Sequence, residues 1–175
     1  DAKGLLATAI RTNDPVIVLE HKRTYRLVKG EVPVEDYTIP IGKAEIKRPG
    51  TDMTLITYGL MLHYSLQAAE MAAANGIDVE VVDLRTLRPL DADAIAESSS
   101  RTGKALIVQE DTPAVSISSE VAAIIGERCF FDLDGPITRL GPPEIPPMPF
   151  SPIQEAAFMP SPEKILDVIT KLAEV

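Results

Sequence analysis

The period of the apolar positions changes several times along the chain, and each change predicts an element. Near the start, Leu5, Leu6, Ala9 and Ile10 recur at helical spacing behind Asp1, a good N-cap, and Asn13, Asp14 and Pro15 end the run. The next five residues, VIVLE (16–20), form a short unbroken apolar run of the kind that makes a buried parallel strand. Periodicity lapses from Gly30 to Gly50, a polar stretch punctuated by Pro33, Pro40 and Pro49. From Met53 onward strand and helix patterns alternate. TLITYG (54–59) predicts a strand, and Leu62, Leu66, Ala69 and Ala73 mark a helix ended by Asn75-Gly76, which can supply a left-handed cap. VEVVDL (79–84) is the second strand, and after Pro89 an Asp91-capped helix carries Ala94 and Ile95. KALIVQE (104–110) is the third, and a helix with Val121, Ile124 and Ile125 follows.

Each of these strands is separated from the next by enough residues for a crossover helix. The expected fold class is therefore α/β with a mostly parallel sheet. The end of the chain reads differently. Phe130–Leu133 and Ile137–Leu140 are short extended runs, and nine of the fifteen prolines lie between Pro136 and Pro162. GPPEIPPMPFSP can be neither a long helix nor a central strand. Ser161-Pro162-Glu163 opens a last helix with Ile165, Ile169 and Leu172 on one face. One helix and one strand cannot make a core, so residues 1–26 read either as a decoration or as the tail of a preceding α/β domain. Residues 27–50 read as a linker, and 51–175 as the main domain.

Composition narrows the function classes. The 175 residues are 45% hydrophobic and 25% charged, with a net charge of −9. That excess of carboxylates argues against nucleic acid or an anionic membrane as partner. The charge is divided: residues 1–30 carry +3 and the remainder −12. No apolar run approaches the roughly 20 residues that span a bilayer. Cys129 is the single cysteine, which excludes an internal disulfide framework and a Cys-rich zinc site. A reducing cytoplasm, or a mitochondrial matrix in a eukaryote, fits this composition.

A search for chemistry returns little. GxGxxG, GxxxxGK[ST], HExxH and GxSxG are all absent. His21 follows a predicted strand and His63 begins a predicted helix; either could act as a base, and either reads as readily as ordinary surface. Cys129, beside Phe130 and Phe131, reads as a small buried hydrophobe. Three segments stand out. EHKRTYR (20–26) opens a strand end into a cationic loop, where α/β proteins bind ligands, although a solvated charge run fits as well. DLRTLRPLD (83–91) suits ion pairs or a subunit contact better than catalysis. FFDLDGP (130–136) sets Asp132 and Asp134 at alternate positions of an extended segment, hence on one face, where they could clamp a partner's cation or simply be solvated.

Taken in order, DPVIVLEHKRTYR, YTIPIGKAEIKRPGTDMTLITYG, GIDVEVVDLRTLRPLD, KALIVQED, FFDLDGPITRLG and PPMPFSP cover essentially the whole chain. They closely resemble the beta subunit of the thiamine-dependent 2-oxoacid dehydrogenase decarboxylase component, in its carboxyl-terminal half. The resemblance implies that residues 1–26 end a pyrimidine-binding domain and that 51–175 form a transketolase carboxyl-terminal domain. It implies oxidative decarboxylation of a 2-oxo acid with acyl transfer to a lipoyl arm. Thiamine diphosphate and magnesium would serve the full enzyme without being bound by this chain alone. In the family the cofactor-activating Glu and the catalytic His lie upstream and the alpha subunit holds diphosphate and magnesium, so no catalytic, cofactor or metal residue is expected here. The implied partners are the amino-terminal half of the beta subunit, the alpha subunit, a second beta subunit and the basic subunit-binding domain of the dihydrolipoyl acyltransferase. That domain would dock on Asp134 and the carboxylate of Val175, with Asp132 adding a second carboxylate. After IVQED the family's glycine-rich turn is replaced by TPAVSISSE. Two alternatives remain: a transketolase or deoxyxylulose-phosphate synthase type of transferase, against which LDGP and PPMPFSP argue, and a non-catalytic interaction module.

Overall fold

A computed structural model describes residues 1–145 and 148–175; Pro146 and Pro147, within the PPMPFSP segment, lie outside the described residues. Five strands, β1 (Glu45–Arg48), β2 (Met53–Thr57), β3 (Val79–Asp83), β4 (Ala105–Val108) and β5 (Thr138–Leu140), form one sheet in the order β1-β3-β2-β4-β5. All neighbours run parallel except β1, which pairs antiparallel with β3 and falls inside the stretch read as a linker. The mostly parallel α/β sheet is the one the strand spacing predicts.

The helices are α1 (Ala2–Arg11), α2 (Thr24–Leu27), α3 (Leu60–Ala73), α4 (Ala92–Thr102), α5 (Ile117–Arg128), α6 (Pro152–Phe158) and α7 (Pro162–Ala173). Side chains alternate across the sheet, and helices bury both faces. Leu55, Val81, Leu106 and Val108 pack with Leu60, Met61, Ala68, Ala69 and Ala72 of α3 and with Ile165, Ile169 and Leu172 of α7. Ile56, Val82, Ala105 and Ile107 pack on the other face with Ile95 of α4 and Val121 and Ile125 of α5. This two-sided burial is why β2, β3 and β4 are nearly continuous apolar runs.

Local signals explain the boundaries. Gly76 takes φ 81° after α3, and Asp91 accepts from the Ala94 amide at 3.3 Å and the Ala44 amide at 3.1 Å. Ser161 accepts from the Lys164 amide at 3.3 Å, with Pro162 in the first turn. Gly50 is required by packing, since a side chain there would collide with the Val79–Glu80 backbone.

Three local expectations need correction. Residues 16–20 form no strand and pair with none among the described residues; a strand needs a neighbour to satisfy its ladder. Asp1 precedes α1 but makes no side-chain cap; its carboxylate instead takes Lys47 at 2.7 Å and Arg85 at 2.7 Å, both charged partners. Phe130–Asp132 is a 3-10 turn and not an extended run, closed by the Asp132 amide donating to the Cys129 carbonyl at 2.8 Å. The buried Cys129 anchors that turn beneath α4, its Sγ donating to the Ala96 carbonyl at 3.4 Å.

Candidate functional site

Asp134 sits at the amino end of the sheet, in the turn between the 3-10 segment and β5. Its amide donates to the Gly103 carbonyl at 2.8 Å. Gly103 ends α4 at φ 72°, and a side chain there would collide with the Asp134 carboxylate, so glycine serves both the turn and the close approach. The carboxylate of Asp134 itself accepts no hydrogen bond among the described residues, and the side chain is exposed. A turn cap would be seen as such a bond. Asp132 is exposed as well, on the 3-10 turn, so the two carboxylates do not share a strand face as alternate spacing would have placed them.

The end of α7 comes to the same place. A side-chain carbon at Gly135 would lie 3.6 Å from Leu172 Cδ1, 3.7 Å from Val175 Cγ1 and 3.9 Å from Lys104 Cγ. Lys104 Nζ donates to the Ala173 carbonyl at 3.4 Å. Val175 remains two-thirds exposed. Segments some forty residues apart in sequence thus meet in one edge: Asp134 and Gly135 on one side, Val175 on the other. Phe130 and Phe131, a few residues before Asp134 in the chain, are exposed and packed edge-to-face with centroids 5.2 Å apart. Sequence reasoning did not single them out as exposed; two aromatics beside a buried cysteine gave no sign of which would face inward.

The opposite end of the sheet holds the other singled-out groups. His21 Nε2 and Glu110 Oε2 are 2.7 Å apart, tying the segment before α2 to the carboxyl end of β4. Arg23 reaches Glu155 at 3.1 Å, so part of the EHKRTYR charge is spent on internal ion pairs. Burial, reinforced by Asp111 and Glu110, raises the Tyr58 phenol above its ordinary pKa. Asp83 is pushed up by burial, against the Arg85 amide that donates to it at 3.1 Å. Burial lowers His63, with Asp83 opposing. Arg85, at φ 56°, is bound to Asp1 and Glu45, which is the ion-pair reading of DLRTLRPLD. Within the sheet, the nearly fully buried Glu80 is held by Arg101 and by Thr54 Oγ1 at 3.2 Å. Among the described residues no group of three or more His, Cys, Asp or Glu side chains could hold a metal ion.

The sequence profile of the transketolase C-terminal domain matches residues 42–165, which spans β1 through the start of α7. The chain belongs to the transketolase C-terminal domain family. Among curated members and their relatives, the 2-oxoisovalerate dehydrogenase subunit beta of Bacillus subtilis (strain 168) is 59% identical over 174 residues, 99% of this chain and 53% of that protein. The pyruvate dehydrogenase E1 component subunit beta of the same organism is 47% identical over 174 residues, again 99% of this chain and 53% of that one. The chain spans about half the length of the curated relatives it matches. A solved split gene transketolase, described as an inactive beta4 tetramer, superposes with a TM-score of 0.69 at 24% identity over 83% of this chain and 46% of that one. At that identity the likeness shows the transketolase C-terminal fold. No helix among the described residues is long and apolar enough to cross a membrane.

Proposed function

We propose that this transketolase C-terminal domain is part of the beta subunit of a thiamine-diphosphate-dependent 2-oxoacid dehydrogenase decarboxylase component, and that its task there is assembly and docking. Support for the class comes from the 59% identity across nearly the whole chain. The observation that carries the docking role is the meeting of the Asp134–Gly135 turn with the end of α7 at Val175. An exposed carboxylate with no partner among the described residues can take a guanidinium or ammonium from outside, and such charge-assisted contacts are strong and directional. The net charge of −12 beyond residue 30 draws a basic partner toward it. Asp132, Asp134 and Val175 are the residues assigned to that contact, and the basic subunit-binding domain of the acyltransferase is the partner.

In this reading residues 1–26 end the pyrimidine-binding domain, 27–50 connect, and 51–175 form the docking and pairing domain, with β1 drawn from the connection. Further partners are the rest of the beta subunit, the alpha subunit and a second beta subunit. Thiamine diphosphate and magnesium belong to the other parts of the enzyme, and no step of decarboxylation or acyl transfer is assigned to a residue of this chain. Isothermal titration of the chain with the acyltransferase subunit-binding domain tests the reading. The expected result is saturable binding at micromolar concentration or tighter that weakens steeply with salt. Absence of binding heat at low salt overturns it.

A further inference from the structure

A helix leaves its last four carbonyls without partners inside the helix. In α7 these belong to Thr170, Lys171, Leu172 and Ala173. Among the described residues the one side chain that donates to any of them is Lys104, whose Nζ lies 3.4 Å from the Ala173 oxygen across 69 positions of sequence. A cation at that end also meets the negative pole of the helix. The chain holds the end of α6 in the same manner, with Lys164 Nζ donating to the carbonyls of Ala156, Ala157 and Met159 at 3.1, 2.6 and 2.7 Å.

Lys104 stands at the entry to β4, and its backbone is fixed there. Its carbonyl accepts from the Thr54 amide at 2.8 Å and from the Thr102 hydroxyl at 3.2 Å. The residue before it, Gly103, accepts from the Asp134 amide. Gly103 and Lys104 therefore hold the two sides of one edge: the first fixes the Asp134 turn and the second fixes the end of α7. Lys104 joins no ion pair among the described residues, so its ammonium is committed to the helix end and not to a carboxylate.

We infer that Lys104 is a positioning residue for the docking edge, its ammonium holding the last turn of α7 against the Asp134–Gly135 turn in the arrangement that a basic partner meets. The inference rests on the docking role proposed above. It also carries a sign that charge alone would reverse. As a bare positive charge beside a basic partner, Lys104 repels it, and removing the charge would tighten binding. As a positioning residue, its loss weakens binding, because the partner then finds only the fraction of chains whose last turn is ordered.

Isothermal titration of the basic subunit-binding domain into the chain at low salt tests it, comparing Lys104→Met, which keeps the apolar stem and loses the ammonium, with Lys104→Arg. Lys104→Met should bind about two- to fivefold more weakly, the scale set by one cation at a helix end, and Lys104→Arg should bind like the unaltered chain. Hydrogen exchange followed amide by amide should show Leu172, Ala173 and Glu174 exchanging faster in Lys104→Met alone, with melting temperatures within about 2 °C of each other. Equal or tighter binding by Lys104→Met overturns the assignment, and so does unchanged exchange at the end of α7. A melting temperature lowered in both variants makes Lys104 a general structural residue and overturns it too. An unaltered chain that fails to bind brings down the docking role and this inference together, whereas normal binding that Lys104→Met leaves intact removes Lys104 alone.

Discussion

VIVLE (16–20) and ALIV (105–108) are nearly the same kind of sequence with opposite fates. Every residue of the second is buried, as β4 lies between β2 and β5 and beneath helices on both faces. In the first, Ile17 is 86% and Leu19 84% exposed. Strand propensity is common to both; what differs is the presence of neighbours to take the ladder and cover the faces. An exposed apolar run of that kind is a surface built for contact.

The contrast has an energetic form. Ile56 is fully buried between Val82, Ile95 and Ile107, so Ile56→Ala should cost about 2–5 kcal/mol through lost contacts and a residual cavity. Ile17→Ala in the same chain should change stability by less than about 0.5 kcal/mol. Urea unfolding of both variants measures the difference. Equal costs would mean that the amino-terminal run is packed in solution and that the two regions are alike.

A smaller effect distinguishes the ends of the sheet by pH. Burial holds the His63 imidazole below its ordinary pKa of 6.5. The folded chain then binds fewer protons at this group than the unfolded chain, so its contribution to stability is intact above the unfolded value and declines as pH falls below it. His63→Gln should flatten the fall of melting temperature between about pH 7.5 and 5.5, read by scanning calorimetry. An unchanged slope would remove His63 from the buried end of the sheet.

The sheet domain was legible because its signals are local. The unbroken runs at 54–57, 79–83 and 105–108, the Asn75-Gly76 stop and the Asp91 and Ser161 caps depend on residues within a few positions of each other. What escaped depends on distance. Asp1 looks like a cap until Lys47 and Arg85, 46 and 84 positions away, arrive at its carboxylate. His21 and Glu110, 89 positions apart, carry no mutual signal, and neither does the buried Glu80 with Arg101. Asp132 was misplaced because the burial of Cys129 favours a 3-10 turn where alternation suggested an extended run. Residues Asp134 and Val175 could be paired only through the resemblance, and the fold brings their segments together across the Gly135 turn.

Asp134→Ala measures the docking role most directly, read in two ways on the same preparation. The carboxylate is exposed and makes no hydrogen bond among the described residues, so the melting temperature should stay nearly unchanged. Affinity for the basic subunit-binding domain should fall at least about tenfold, equivalent to about 1.4 kcal/mol. A lowered melting temperature with affinity intact would make Asp134 a structural turn residue and contradict the docking edge.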